Sequence, residues 1–306
     1  MRLVFAGTPD AAVPALRVLA ASAHDVTAVV TRRDAPLGRK RVLTPSPVAR
    51  AADELGLPLI KTDRLDDSAT TAITAEAPDL GVIVAYGGLV REPLLSTPRH
   101  GWINLHFSLL PAWRGAAPVQ RSLIAGEAET GANVFRLVAA LDAGDVLGEL
   151  RYRVPPLATA DRVLADLADL GAGLLLRVVD AIADGTARDT PQTGEPTYAA
   201  KLTAEDGRLD WTAPAAEVLA RWQGTTPEPG AFTTVDGARL KVLELHPADA
   251  DAPLAPGQLR GEGRTVLIGT ATDPLALIRV QPAGKAAMAA GDWWRGLRSD
   301  VPVAGA

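Results

Sequence analysis

The chain has 306 residues, a net charge of −5, 47% hydrophobic and 22% charged residues, and no cysteine. This length suits two domains, and this composition is typical of a globular protein. The lack of cysteine excludes disulfides and thiolate metal sites. The histidines are scattered without the spacing of metal ligands, so we expect no metal site. No apolar run reaches the ~18 residues of a membrane span, and the amino terminus does not read as a signal peptide, so we expect a cytoplasmic protein with no membrane partner.

Strand-like and helical segments alternate along the first half of the chain. Apolar runs predict parallel strands over 3–6, 25–30, 80–85 and 102–105, with helices over 11–21 and 47–55. The runs over 132–137 and 146–154 follow without a crossover helix, so they predict an antiparallel edge. A long amphipathic helix is predicted over 158–183. The predicted fold class is α/β, with a doubly wound, Rossmann-like parallel sheet and an antiparallel edge.

Turn-forming residues over 189–196 predict a linker after this sheet. Beyond the linker, a helix is predicted over 214–223 and short strands over 230–234, 240–245, 265–269 and 275–280, with a hairpin at Asp236-Gly237. These elements predict a small β-barrel. The predicted organisation is a catalytic α/β domain over 1–188, a linker over 189–205 and a barrel domain over 206–306.

The residues with most chemical meaning are Asn104, His106 and Asp142. Asn104 and His106 lie on one face at the carboxyl end of a predicted strand, where open α/β sheets bind ligands. An amide, an imidazole and a carboxylate suit formyl or acyl transfer to an amine, in which an oxyanion develops and protons move. Asp142 would orient His106 and raise its pKa. No nucleophile motif is present, which favours direct attack by the substrate amine.

Two alternatives concern individual positions. Asp145 competes with Asp142 for the carboxylate role, and we expect Asp145 to cap or orient the loop instead. The turn after the first strand, Gly7-Thr8-Pro9, lacks the glycines of a dinucleotide fingerprint, so NAD binding is not expected.

Several motifs together resemble the folate-dependent formyltransferases, most closely the members that act on methionyl-tRNA. They are Val-Phe-Ala-Gly-Thr-Pro (4–9), Gly-Arg-Lys-Arg-Val-Leu-Thr-Pro-Ser-Pro-Val (38–48), Asn-Leu-His-Phe-Ser-Leu-Leu-Pro (104–111), Trp-Arg-Gly-Ala-Ala-Pro-Val-Gln-Arg (113–121) and Leu-Asp-Ala-Gly-Asp (141–145). The resemblance covers essentially the whole chain. It implies that the carboxyl-terminal barrel is OB-like and binds tRNA.

The resemblance also implies roles for individual residues. Asn104 and His106 would contact the formyl oxygen as the tetrahedral intermediate forms, and Asp142 would support the charged His106 and assist proton transfer towards N10 of the folate. The co-substrate would be 10-formyltetrahydrofolate. Its pocket would be lined by Ser108, Leu109, Leu110, Pro111, Tyr86, Gly87 and Leu89.

The acceptor that the resemblance implies is methionyl initiator tRNA. The net charge argues mildly against a nucleic acid, but a basic loop with Arg39, Lys40 and Arg41 would grip the acceptor arm. A sugar-nucleotide N-formyltransferase shares the Asn, His and Asp set and is the alternative, although the 38–48 loop favours the tRNA enzyme. A nucleic-acid-binding module that has lost activity is disfavoured by the intact catalytic set. We expect a monomer.

Overall fold

A computed structural model describes residues 1–38, 41–248, 254–297 and 303–305. These residues pack into two compact units. The first holds 1–118, 129–153 and 164–199, and the second holds 119–128, 154–163 and 200–306. The boundaries predicted at 188 and 205 stay a prediction, because packing alone does not tell which segment folds independently.

Strands and helices follow one another along the chain up to residue 199. The strands are β1 (Arg2–Gly7), β2 (Asp25–Thr31), β3 (Ala35–Leu37), β4 (Val42–Thr44), β5 (Leu59–Lys61), β6 (Leu80–Val84), β7 (Trp102–His106), β8 (Arg114–Gly115), β9 (Glu129–Arg136), β10 (Val146–Arg153) and β11 (Tyr198–Ala199). The helices are α1 (Val13–Ala20), which follows a 3₁₀ turn at Asp10–Ala12, α2 (Pro47–Leu55), α3 (Asp67–Ala75), α4 (Pro118–Ile124) and α5 (Ala160–Ala183).

The main sheet of the first unit confirms the predicted fold class. Its strand order is β10-β9-β7-β6-β1-β2-β5. Five neighbouring strands run parallel, namely β5, β2, β1, β6 and β7. Strands β9 and β10 are antiparallel additions at the β7 edge. The chain builds outward from β1 to β5 and then returns to β6 on the other side of β1. In such sheets ligands bind beside this reversal, at the carboxyl ends of the strands, here β1 and β6.

Local sequence explains why α2 begins and ends where the prediction put it. The Ser46 hydroxyl accepts a hydrogen bond from the Ala49 N–H at 3.0 Å, and Pro47 occupies the first turn. Gly56 ends the helix with φ of 67°, a conformation that favours glycine. Both ends of α2 are therefore fixed by capping residues that the sequence displays.

Some elements were not predicted. Helix α3 is rich in threonine and alanine and has little apolar periodicity, although Asp66 caps it through the Ala69 N–H at 2.9 Å. The basic loop that the sequence predicts between β2 and α2 contains the two-stranded hairpin of β3 and β4. These short elements carry too little pattern for a periodicity argument.

From residue 200 on, the second unit contains two helices and an antiparallel sheet. Its elements are α6 (Ala215–Thr225), β12 (Phe232–Val235), β13 (Ala238–Pro247), β14 (Leu259–Glu262), β15 (Thr265–Ile268), β16 (Leu275–Pro282), β17 (Met288–Ala289) and α7 (Ala290–Trp294). The sheet order is β12-β13-β16-β15-β14, with β17 added to β16. The predicted hairpin joins β12 to β13, with Asp236 and Gly237 at φ of 50° and 72°.

Residues 303–305 link the two ends of this sheet. The Ala304 N–H donates to the Gly257 carbonyl and the Gly305 N–H donates to the Thr234 carbonyl, both at 2.8 Å. Isolated bridges pair Val303 with Gln258, just before β14, and Ala304 with Val235 at the end of β12. The small antiparallel domain is therefore confirmed, and its OB-like character stays a prediction. Within the described ranges, no helix combines the length and apolar character of a membrane span.

Candidate active site

Strand β7 carries Asn104 and His106 to the carboxyl end of the main sheet. The strand lies between β6 and β9, and Asn104 pairs in register with Ile83 and Phe135. Residues two apart on a strand project to the same face, so the two side chains point to one side of the sheet. The sheet thus presents the amide and the imidazole together.

The His106 ring is fixed by its own surroundings. The residue is 6% exposed, and its ring meets the Phe135 ring edge to face with centroids 6.2 Å apart. Its Nε2 lies 3.0 Å from the Trp113 carbonyl oxygen. A carbonyl can only accept, so Nε2 donates and carries the proton of the neutral ring. Nδ1 then has a lone pair that can take a proton.

The carboxylate that faces His106 is Asp142. Its Oδ2 lies 4.0 Å from Nδ1 of His106, and its side chain is 11% exposed. The same oxygen accepts a hydrogen bond from the Gly115 N–H at 2.8 Å. Asp145, the alternative, uses its backbone carbonyl to accept from the Arg136 N–H at 2.9 Å. The geometry therefore favours Asp142 for a role beside the imidazole.

The pKa of His106 is governed by burial as well as by Asp142. Burial lowers the pKa of His106 below its ordinary value of 6.5, while the Asp142 charge and the Trp113 carbonyl raise it by less. Asp142 therefore raises the pKa as predicted, but removing the ring from water disfavours its charged form more than Asp142 favours it. The resting imidazole is neutral and can accept a proton.

Two buried polar atoms of this region have no hydrogen-bond partner among the described residues. They are Oδ1 of Asn104 and Nε of Arg114. A buried polar atom without a partner costs about 1–3 kcal/mol, so such atoms indicate a place for a polar group from outside the chain. Asn104 fits a carbonyl-bearing substrate, because either end of its amide can be turned towards the ligand.

The loop after β7 is held from inside the protein. The Ser108 hydroxyl donates to the Ala112 carbonyl at 2.6 Å, and the Leu110 N–H donates to Oδ1 of Asn133 at 2.5 Å. Asn133 is fully buried on β9, in register with His106. Asn133 was not predicted from the sequence, because one polar residue in an apolar strand gives no signal by itself.

Leu110 also borders a cleft of about 280 Å³. Its other lining residues come from the start of β10 and from the segment after α5, namely Val146, Leu147, Gly148, Glu149, Thr190, Pro191, Gln192 and Thr193. The predicted folate residues Leu109 and Pro111 flank Leu110 in the chain.

The residues after β6 have different environments from one another. Tyr86 is 1% exposed in the core, and its hydroxyl donates to the Thr62 carbonyl at 2.9 Å. Burial raises the pKa of Tyr86. The Gly87 carbonyl accepts from Arg32 at 2.5 Å, and Leu89 is 66% exposed. Tyr86 thus has an evident packing role, and contact between these residues and folate stays a prediction.

Gln192 is a further polar residue at the site that the sequence analysis missed. Its Nε2 donates to the carbonyls of Asp142 and Gly144, at 2.9 and 2.8 Å. Its Oε1 accepts from Nη2 of Arg114 at 2.6 Å. The turn-forming residues around Gln192 made its segment resemble a plain linker, and no signal in the sequence separates it from one.

The hairpin of β3 and β4 has an exposed apolar surface. Leu37, Val42 and Leu43 are 66%, 59% and 68% exposed. Arg41, at the tip, is exposed and has φ of 49°. The other two predicted tRNA contacts, Arg39 and Lys40, lie outside the described residues. In the described part of the chain, no three histidine, aspartate or glutamate side chains are grouped for a metal ion.

Comparison with known proteins identifies the family to which these features belong. Residues 1–179 match the formyl transferase family, and residues 201–298 match the formyl transferase C-terminal domain. The methionyl-tRNA formyltransferase of Clavibacter sepedonicus is 60% identical over 304 residues, which are 99% of this chain and 100% of that relative. The methionyl-tRNA formyltransferase of Paenarthrobacter aurescens is 54% identical over 305 residues, 99% of both chains.

Solved structures with low sequence identity share the fold. WlaRD, a sugar 3N-formyl transferase with dTDP and 5-N-formyl-THF present, superposes with a TM-score of 0.69 at 12% identity, covering 94% of this chain and 99% of WlaRD. HypX from Aquifex aeolicus in complex with tetrahydrofolic acid gives a TM-score of 0.63 at 15% identity, covering 99% of this chain and 50% of HypX. At such identities the likeness concerns the fold alone.

Proposed function

We propose that this chain, which belongs to the methionyl-tRNA formyltransferase family, transfers the formyl group of 10-formyltetrahydrofolate to the amino group of methionyl initiator tRNA. The observation that carries the proposal is the buried pair of His106 and Asp142, 4.0 Å apart, on the same face as the Asn104 amide oxygen, which has no hydrogen-bond partner among the described residues. Relatives with 60% identity over nearly the whole chain support the choice of acceptor.

The chemistry assigned to His106 begins with proton removal. The methionyl amine attacks the formyl carbon, and the new C–N bond pushes electrons onto the formyl oxygen. Nδ1 of His106 takes the proton that the amine loses, because burial keeps the ring neutral and Nε2 is committed to Trp113. Asn104 stabilises the charge on the oxygen with its amide.

Asp142 acts while His106 is charged. The imidazolium forms in a buried place, and a carboxylate 4.0 Å away offsets part of the cost of that charge. His106 then gives the proton to N10 as the carbon–N10 bond breaks. The proton balance closes, since the amine loses one proton and N10 gains one. No covalent enzyme intermediate is needed.

The co-substrate and the tRNA are assigned to different surfaces. Ser108, Leu109, Leu110 and Pro111, with Tyr86, Gly87 and Leu89, are proposed to line the folate pocket. The hairpin tip with Arg39, Lys40 and Arg41 is proposed to hold the acceptor arm, and the domain over 206–306 to bind the tRNA body. Exposed apolar side chains beside the basic tip support a contact surface there. We propose that the enzyme acts in the cytoplasm, where charged tRNA is used, and as a monomer.

The test compares two acceptors. The purified protein is incubated with 10-formyltetrahydrofolate and with either methionyl initiator tRNA or an amino-sugar nucleotide, and formylated products are separated by chromatography. We expect formylmethionine on the tRNA and an unchanged sugar nucleotide. If the sugar nucleotide is formylated and the methionyl-tRNA is not, the result would support the sugar-nucleotide N-formyltransferase and overturn this proposal.

A further inference from the structure

The segment over 189–199, the strap, forms hydrogen bonds with Val146, which follows the Asp142 loop, and with Trp113 and Arg114, which follow His106 in the chain. Thr190 and Val146 exchange backbone hydrogen bonds of 2.8 and 3.0 Å. The Thr197 hydroxyl accepts from the Trp113 N–H at 2.8 Å, and the Thr197 carbonyl accepts from the Arg114 N–H at 2.9 Å. The strap therefore holds both the Asp142 loop and the segment whose Trp113 carbonyl receives His106.

Gln192 makes the strap's side-chain contact with the Asp142 loop. Arg114 can only donate, so the Gln192 atom that faces it must be Oε1. The NH₂ group of Gln192 then faces the carbonyls of Asp142 and Gly144 and donates to both, at 2.9 and 2.8 Å. Arg114 thus sets the orientation of the Gln192 amide, and the amide holds the Asp142 and Gly144 carbonyls through its two hydrogen bonds.

The Asp142 loop needs such support. Asp142 has φ of 45°, a backbone conformation that costs a non-glycine residue free energy unless its surroundings enforce it. At Gly144 a Cβ would lie 1.8 Å from the Arg136 carbonyl oxygen, so the loop also passes very close to β9. The position of the carboxylate therefore depends on a backbone that its own sequence does not favour.

We propose that Gln192 is a positioning residue for formyl transfer, which sets the distance of the Asp142 carboxylate from His106 through the backbone of the 142–144 loop. This rests on the proposed role of Asp142. Loss of the Gln192 donors leaves two carbonyls without their hydrogen bonds and frees the loop to move. Misplacement by about 1 Å can slow a reaction on the order of 100-fold even when substrates still bind.

The principal test is Gln192→Glu, which keeps the shape and the Arg114 contact but replaces the donor by an acceptor. We expect kcat to fall roughly 10- to 100-fold with KM unchanged for methionyl-tRNA and for the folate. Gln223→Glu is the matched control, because Gln223 also donates its amide to one backbone carbonyl, that of Ala158 at 3.0 Å. This control should retain the wild-type kcat.

A double-mutant cycle separates positioning from a structural effect. If Gln192 acts through Asp142, Gln192→Glu should slow the Asp142→Asn enzyme by less than about twofold. An equal slowing in both backgrounds, or an unchanged kcat for Gln192→Glu, would overturn the proposal. A wild-type kcat for Asp142→Asn would instead refute the proposed function. Gln192→Met, which keeps the length without a charge, gives the same cycle if the glutamate variant does not fold.

Discussion

Asp142 and Arg41 both have left-handed backbone conformations, with φ of 45° and 49°, yet their surroundings are opposite. The Asp142 side chain is 11% exposed, accepts from Gly115, and has its backbone carbonyl bound by Gln192. Arg41 is exposed at the tip of a hairpin whose leucines are also exposed. The first loop is fixed by the protein itself, while the described side chains of the second are exposed. Changes in the first should alter the rate, and changes in the second should alter binding.

The largest effect is expected from Asp142→Asn. This substitution keeps the shape and removes the charge that supports protonated His106, so turnover should fall roughly 100-fold or more. Circular dichroism and the melting temperature should stay close to wild type. Asp145→Asn is the control, since Asp145 contacts β9 through its backbone carbonyl. A larger loss for Asp145→Asn than for Asp142→Asn would reverse the assignment of the carboxylate.

The next largest effect is expected from Gly144→Ala. The added Cβ would lie 1.8 Å from the Arg136 carbonyl oxygen, a backbone atom that cannot move aside cheaply. Crowding of this kind costs about 1–3 kcal/mol of unfolding free energy, and relief by loop movement would displace Asp142. Chemical denaturation and kcat measured on one preparation would report both. Gly173→Ala is the control, since its nearest neighbour is an arginine side-chain nitrogen at 3.6 Å. Wild-type stability and kcat for Gly144→Ala would argue against a fixed loop.

A smaller and different effect is expected at the hairpin. Replacing Arg39, Lys40 and Arg41 together by alanine should weaken tRNA binding and flatten its salt dependence, by about 0.7–0.9 in log–log slope for each phosphate that is no longer neutralised. KM for the folate and the melting temperature should be unaffected, because Arg41 is exposed and the folate is assigned to another surface. Affinity would be measured across a salt series. Parallel slopes with equal affinities would mean that the tip is solvated surface, and would favour the sugar-nucleotide alternative.

The smallest effect is expected from a change of pH near neutrality, which tests the protonation state of His106. Its pKa is lowered from 6.5 by burial, so kcat/KM should be flat near pH 7 and fall only below pH 6.5. In Asp142→Asn the acid limb should lie at still lower pH, because the charge that raises this pKa is gone. The free energy of unfolding should show the same pH dependence. Because the pKa of His106 is lower in the folded protein than in the unfolded chain, its contribution to stability is fully present above the unfolded pKa and is lost as the pH falls through the folded pKa. An acid limb above pH 6.5 would contradict a neutral resting imidazole.

The sequence predicted the regular elements well because their signals are local. The bounds predicted for α2 coincide with a serine cap, a proline and a glycine, and β7 was predicted from an apolar run that ends in Asn-x-His. The tertiary contacts had no local signal. Gln192 reaches Asp142 across fifty positions of chain, and the net pKa of His106 depends on how deeply the ring is buried. Motifs can name the chemical groups of a site, but only the fold determines what surrounds them.

The short piece at 303–305 bears on solubility. An unpaired strand edge offers free N–H and C=O groups to another molecule, which is how sheets recruit one another into aggregates. Ala304 and Gly305 occupy part of the edges beside Gln258 and Val235 in the second unit. A chain shortened to residue 302 would expose those edges while leaving the chemistry of the main sheet untouched. Such a chain should keep its catalytic groups in place and still be lost from solution, a self-association defect that an activity measurement alone would record as inactivation.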